Sequence, residues 1–149
     1  MNKRSKRFQP IQRLARHSED QAAQRLGKAQ QQLSAQEQRL RELTAYRDEY
    51  AQQFHLNGQA GLDGRQLQSY QSFLNQLNAA IEQQKQQILQ AQEQRDARRT
   101  DWHQQHTHSE VLASAVKRIK TQEQHSERRQ EQRNADEQAL RRREPSPSR

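Results

Sequence analysis

Apolar residues recur at alternating four- and three-residue spacing in two long runs of this chain. The first run reads Ala22, Leu26, Ala29, Leu33, Leu40, Leu43, Tyr50 and Phe54, with Gln36 and Arg47 as polar members. The second reads Leu67, Tyr70, Leu74, Leu77, Ile81, Gln84, Ile88 and Ala91, passes through Arg95, Arg98 and Trp102, and resumes at Leu112, Val116 and Ile119. A mean repeat of 3.5 residues keeps one seam turned toward a partner helix, so each run predicts a coiled-coil strand. Three of the four glycines, Gly58, Gly61 and Gly64, fall between the runs, and Asn57-Gly58 is a turn dipeptide. The pattern predicts an all-α fold: an antiparallel two-helix coiled-coil hairpin whose longer second helix overhangs the open end.

Punctuation along the chain sets the expected boundaries. Residues 1–9 read as a basic N-terminal arm, because Pro10 suits the first turn of a helix, where its missing N–H costs nothing. Helix one is expected over 10–54, roughly 70 Å at 1.5 Å per residue. Gly27 sits beside Leu26 off the seam and reads as a weak point without a break. The turn is expected over 55–64. Asp63 followed by Gln66 reads as a capping box that opens helix two, expected over 65–143. Pro145 and Pro147 end it, leaving 144–149 as a disordered tail. Residues 111–143 are the expected overhang.

In an antiparallel pair, facing residue numbers add to a constant. A sum near 117 sets Tyr50 against Leu67, Gln36 against Ile81 and Leu33 against Gln84, and gives Arg98 a partner in Glu19. A sum of 124, one heptad away, sets Arg98 against Leu26 and Arg95 against Ala29. The 117 register is preferred, because unpaired charge at a seam is costly and polar layers fix register.

Composition narrows the class. Only 29% of the 149 residues are hydrophobic, and 30 are glutamine; that is too little apolar surface for a globular core and enough for a seam. Full disorder is the rival at net charge +8, and the sustained heptads argue against it over 8–119. Without cysteine there is no disulfide framework, thiolate metal site or Cys nucleophile. No run of about 18 apolar residues is present to span a membrane, and no apolar segment follows the basic start as in a secretory signal. His103, His106 and His108 do not share one helix face, and they read as surface histidines rather than metal ligands. No phosphate loop or enclosed nucleophile is visible, so neither enzyme activity nor a cofactor is expected.

Three surfaces remain as candidate interaction sites. Residues 1–16 carry six Lys/Arg and no acids, while 117–149 carry ten basic and six acidic groups, so the open end is basic. A solvated helix with i,i+4 charge pairs is the alternative for the tail. Val111, Leu112, Ala115, Val116 and Ile119 extend the apolar stripe past the start of helix one in the 117 register, flanked by Lys117, Arg118 and Lys120. They form either a docking surface or, in the 124 register, a stripe partly covered by Phe8 and Ile11. Near the turn, Tyr46, Phe73 and Ala80 occupy heptad position g beside Leu43, Tyr50 and Leu77, making a lateral aromatic patch or a shield for the seam. Nucleic-acid binding fits the pI of 10.4, but acids alternate with bases in the tail and no aromatic follows Trp102 to stack on bases. A passive spacer is the other alternative.

Lys6-Arg7-Phe8-Gln9-Pro10-Ile11-Gln12-Arg13-Leu14-Ala15 resembles the opening of the flagellar export protein FliJ family. So do Leu43-Thr44-Ala45-Tyr46-Arg47-Asp48-Glu49-Tyr50, and Leu67-Gln68-Ser69-Tyr70-Gln71-Ser72-Phe73-Leu74 continuing to Ile81-Glu82-Gln83-Gln84, in that order around one turn. The resemblance implies a soluble, cytoplasmic component of the type III flagellar export apparatus, associated peripherally with the inner membrane at the flagellar base. It implies an antiparallel coiled coil similar to the stalk of rotary ATP synthases. The implied partners are the export ATPase hexamer, the cytoplasmic domain of the export-gate protein FlhA and substrate-specific export chaperones, for which the family acts as general escort. The family's gate-binding surface falls on Leu43, Tyr46, Tyr50, Phe73, Leu77 and Ala80. The ATPase is expected to meet the basic open end: Lys3, Arg4, Lys6, Arg7, Phe8, Val111, Leu112, Val116, Lys117, Arg118, Ile119 and Lys120.

Overall fold

A heptad seam needs two long helices with a reversal between them, and the structure has both. The computed structural model describes residues 3–59 and 61–143. Helix α1 spans Arg4–Gly58 and helix α2 spans Gly64–Arg143, with no strand among the described residues. The chain is an antiparallel helical hairpin with a longer second helix. The residues expected to form the disordered tail, 144–149, lie outside the described residues.

The reversal is built by three local devices. Gly58 ends α1, and its carbonyl accepts the N–H of Gly61 at 3.2 Å. Gly61 takes φ +90°, a conformation that only glycine enters at low cost. The Asp63 carboxylate accepts the Gln66 N–H at 2.8 Å, and the Gln66 side chain accepts the Asp63 N–H at 3.2 Å, closing a capping box around the first turn of α2. Helical geometry persists through His55, Leu56 and Asn57, so the non-helical link is shorter than the expected 55–64.

Contacts between the helices group into two units, the first formed by Gln21–His103. Its buried seam is Ala22, Ala29, Leu33, Leu77, Ile81 and Ala91, with Ile81 only 2% exposed. Gln84 is also buried there and donates from Nε2 to the Gln36 carbonyl at 2.9 Å and to its side-chain oxygen at 2.6 Å. Gln84 therefore meets Gln36, where the 117 register set it against Leu33. Such a polar layer favours one register, because any slide leaves an amide unpaired among apolar side chains.

The second unit takes the chain up to Asp20 together with the chain from Gln104 onward. Ala15 and Val116 are its buried apolar residues. The Glu123 carboxylate receives both the Ser5 N–H, at 3.0 Å, and the Ser5 hydroxyl, at 2.7 Å. Lys3 adds an ion pair with Glu127 at 2.6 Å. A carboxylate from α2 thus caps the first turn of α1, meeting its unsatisfied N–H groups and the positive end of its dipole. These contacts correct the expected arm. The chain is helical from Arg4, and Pro10 lies inside α1. Pairing with α2 outweighs the local cost of proline, about 3 kcal/mol in a helix interior.

The register is corrected as well. Contacting pairs in the first unit have residue numbers summing to between 119 and 124, and those in the second to between 125 and 130. The second unit thus lies nearer 124 than 117. The objection to 124 was charge at the seam, and the side chains remove it. Arg98 is exposed and reaches toward Asp101 at 3.8 Å, while Arg95 turns its guanidinium to Asp96 at 2.9 Å. Long aliphatic stems let arginine occupy a seam position while its head group stays wet. The expected overhang is shortened, since pairing with α1 continues to Glu127.

Ile81→Ala should destabilise the hairpin by about 2–5 kcal/mol in urea unfolding, and Gln84→Ala by about 1–3 kcal/mol through the Gln36 side-chain oxygen left without its donor.

Candidate functional site

Near the turn, seam positions Tyr50, Phe54 and Tyr70 are too broad to interdigitate as leucines do, so their rings stack. Tyr70 lies parallel to Phe54 with ring centres 3.4 Å apart and to Tyr50 at 5.2 Å. Phe73 from α2 packs edge-on against Tyr50 at 4.6 Å and against Tyr46 at 6.1 Å. Of the residues expected in the lateral patch, the structure brings Tyr46, Tyr50 and Phe73 into one aromatic cluster. Tyr46 is 50% exposed, whereas Leu77 is only 8% exposed and belongs to the buried seam. Leu43 and Ala80 are half-buried and line a neighbouring open cleft with Gln36 and Arg39.

Phe54 and Tyr70 belong to the same surface but were absent from the expected patch. With Tyr50 they wall a cleft of about 460 Å³ edged by Asn57, Asp63 and Arg65. The sequence carried a signal for them, since both occupy seam positions and both are aromatic. Heptad reading sends such residues inward and does not show that ring width forces them partly out.

The second surface is the basic end. Lys3, Arg4, Lys6, Arg7, Lys117, Arg118 and Lys120 are all exposed. Glu127 accepts a hydrogen bond from Lys3 and raises its pKa above the ordinary value. Ser5 holds the Glu123 carboxyl below the ordinary carboxylate value, chiefly through its backbone N–H and then through its hydroxyl. The apolar stripe beside these charges differs from expectation. Ser5 faces Glu123 and Glu19 faces His106, so α1 runs opposite 111–119. Val116 is 3% exposed, Leu112, Ile119 and Phe8 are half-buried, and Val111 alone of the stripe is well exposed. The stripe is therefore part of the hairpin's own seam.

The histidine cluster is corrected in the same region. His106 is half-buried, with Nδ1 2.6 Å from Glu19 and Nε2 3.0 Å from Glu110. The Glu19 hydrogen bond raises the His106 pKa above 6.5. In return His106, and next Ser109, lower the Glu19 pKa below 4.5. Glu19 thus takes His106 in place of the expected Arg98. No group of three His, Asp or Glu among the described residues is placed to hold a metal ion.

Two helices carrying an aromatic edge and a set of exposed basic residues, with clefts open to solvent, place the chain in the class of helical hairpins. Its sequence agrees with a family model over nearly the whole chain: the Flagellar FliJ protein model matches residues 4–144, and the chain belongs to that family. It is accordingly a component of the flagellar protein-export apparatus. No curated protein and no solved structure matches it. No helix among the described residues is long and apolar enough to cross a membrane.

The Glu19–His106 pair gives a signed pH dependence. Its contribution is complete between about 4.5 and 6.5, and is lost as pH rises through the raised His106 value or falls through the lowered Glu19 value. The stability difference between wild type and His106→Ala should therefore be larger near pH 6 than near pH 9 in denaturant titrations. An equal difference at both pH values would contradict this.

Proposed function

We propose that the protein couples the export ATPase hexamer to the cytoplasmic domain of the gate protein FlhA and escorts substrate-specific export chaperones, working at the cytoplasmic face of the inner membrane. The observation that carries this reading is the aromatic edge formed by the exposed Tyr46 and the half-buried Phe73. Aromatic side chains bury large areas at modest entropic cost and are favoured as interface anchors. The family supplies the partner: an export component that exposes such an edge suits the gate protein.

At the other surface, Lys6, Arg7, Lys117, Arg118 and Lys120 supply exposed positive charge for the ATPase ring. The buried Val116 is excluded from that contact, and the ring meets charge and the rim residue Val111 rather than a bare apolar stripe. The hairpin then acts as a connector whose two units carry separate adhesive surfaces, and supplies no chemistry of its own.

Tyr46→Ala with Phe73→Ala should weaken binding to the gate's cytoplasmic domain by about tenfold or more while leaving helicity unchanged; unaltered binding removes the patch from the mechanism. Lys117→Glu, Arg118→Glu and Lys120→Glu together should weaken ATPase association. A wild-type nucleic-acid complex that dissolves steeply as salt rises, with no ATPase capture, would favour the nucleic-acid reading instead.

A further inference from the structure

We propose that the second unit opens and recloses on its own while the first stays paired, with Glu19 and His106 as a pH-sensitive latch between its two helical stretches. The two units are held closed by different physics. In the first, Ala22, Ala29, Leu33, Leu77, Ile81 and Ala91 are buried apolar residues. In the second, the buried side chains among the described residues are Ala15 and Val116 with two hydroxyls, Ser5 and Ser109. No residue of α1 between Ala15 and Ala22 is buried, and none of α2 between Ala91 and Ser109. Apolar burial supplies most of the free energy of a seam, so a stretch that buries little has a low local stability.

Polar contacts carry more of the closure there. Ser5 donates to Glu123, Lys3 pairs with Glu127, and His106 lies 2.6 Å from Glu19. The Lys3 and Glu127 side chains are about half exposed, so water screens their attraction. The Ser5 groups do not titrate, and they hold the Glu123 carboxyl below its ordinary value, so that contact is constant around neutral pH. Of these contacts, the one made by His106 changes charge in that range.

The imidazole of His106 sits between two carboxylates. Glu19 approaches Nδ1 from α1, and Glu110 approaches Nε2 at 3.0 Å from the same helix. Protonated, the ring has two N–H donors and satisfies both at once. Neutral, it has one, and a carboxylate is left facing a ring lone pair. Glu110, four residues along α2, keeps its access to the ring when the helices part, whereas Glu19 does not. The Ser109 hydroxyl and the charge of Arg16 favour ionised Glu19, so the proton that leaves comes from His106. The latch is therefore closed at pH values just below 6.5 and released as pH rises through the raised His106 value. Opening uncovers Val116 with Phe8, Leu112 and Ile119, the stripe that the closed hairpin keeps for its own seam. This motion belongs to the chain alone and stands apart from the partners proposed above.

The test is hydrogen exchange of the full chain by mass spectrometry at pH 6 and pH 9, corrected for intrinsic rates. At pH 6, amides of 8–18 and 107–119 should exchange about tenfold or more faster than those of 26–43 and 74–91. At pH 9 that ratio should widen by a further factor of about three, the loss of one partly exposed pair. His106→Ala should abolish the widening. His108→Ala, which removes an exposed histidine of the same unit, should preserve it. One common rate in both units, a widening that survives in His106→Ala, or one lost equally in His108→Ala would overturn the proposal.

Discussion

The register between the two helices is the constraint on which every surface of this protein depends. A seam of alternating three- and four-residue steps is nearly self-similar, so apolar burial alone tolerates a slide of one heptad. Three polar contacts remove that freedom. Gln84 must reach Gln36, Glu19 must reach His106, and Glu123 must reach the first turn of α1. Each would leave a buried amide or a charge unmatched if the helices slid. The seam supplies the affinity of one helix for the other, and these contacts decide which residues it leaves outside.

That division explains the candidate sites. Near the turn, aromatic rings too broad for the seam spill to one edge, and Tyr46 and Phe73 become accessible as a consequence of packing. In the other unit, the first turn of α1 binds Glu123, and Val116 is buried in the seam. What remains exposed there is charge. Further along α2, Glu123 and Glu127 turn toward α1, while Arg128, Arg129 and Arg133 stay exposed.

Much of this was legible in the residues. The two heptad runs, the glycines between them and the Asp63–Gln66 box specify a hairpin, because each is a local signal with a local cause. The aromatic edge was legible in part: Tyr46 and Phe73 announce themselves by position g, while Phe54 and Tyr70 hide among seam residues. The register was not legible. Choosing between sums of 117 and 124 required knowing that Arg95 and Arg98 turn their guanidiniums outward to aspartates, a side-chain choice no periodicity encodes. From that followed the misplaced overhang and the apolar stripe read as uncovered. The N-terminal arm was misread for a related reason: Pro10 is a sound local signal for a helix start, and a carboxylate more than a hundred residues away overrides it.

The chain lacks cysteine, so a pair introduced by mutation is the only thiol pair present and its oxidation reports proximity directly. The decisive measurement is the rate of intramolecular disulfide formation in Glu19→Cys/His106→Cys beside Glu19→Cys/Arg98→Cys. Rapid closure of the 19/106 pair with little closure of 19/98 is the result this account predicts. Preferential closure of 19/98, or bridges formed only between separate chains, would contradict it.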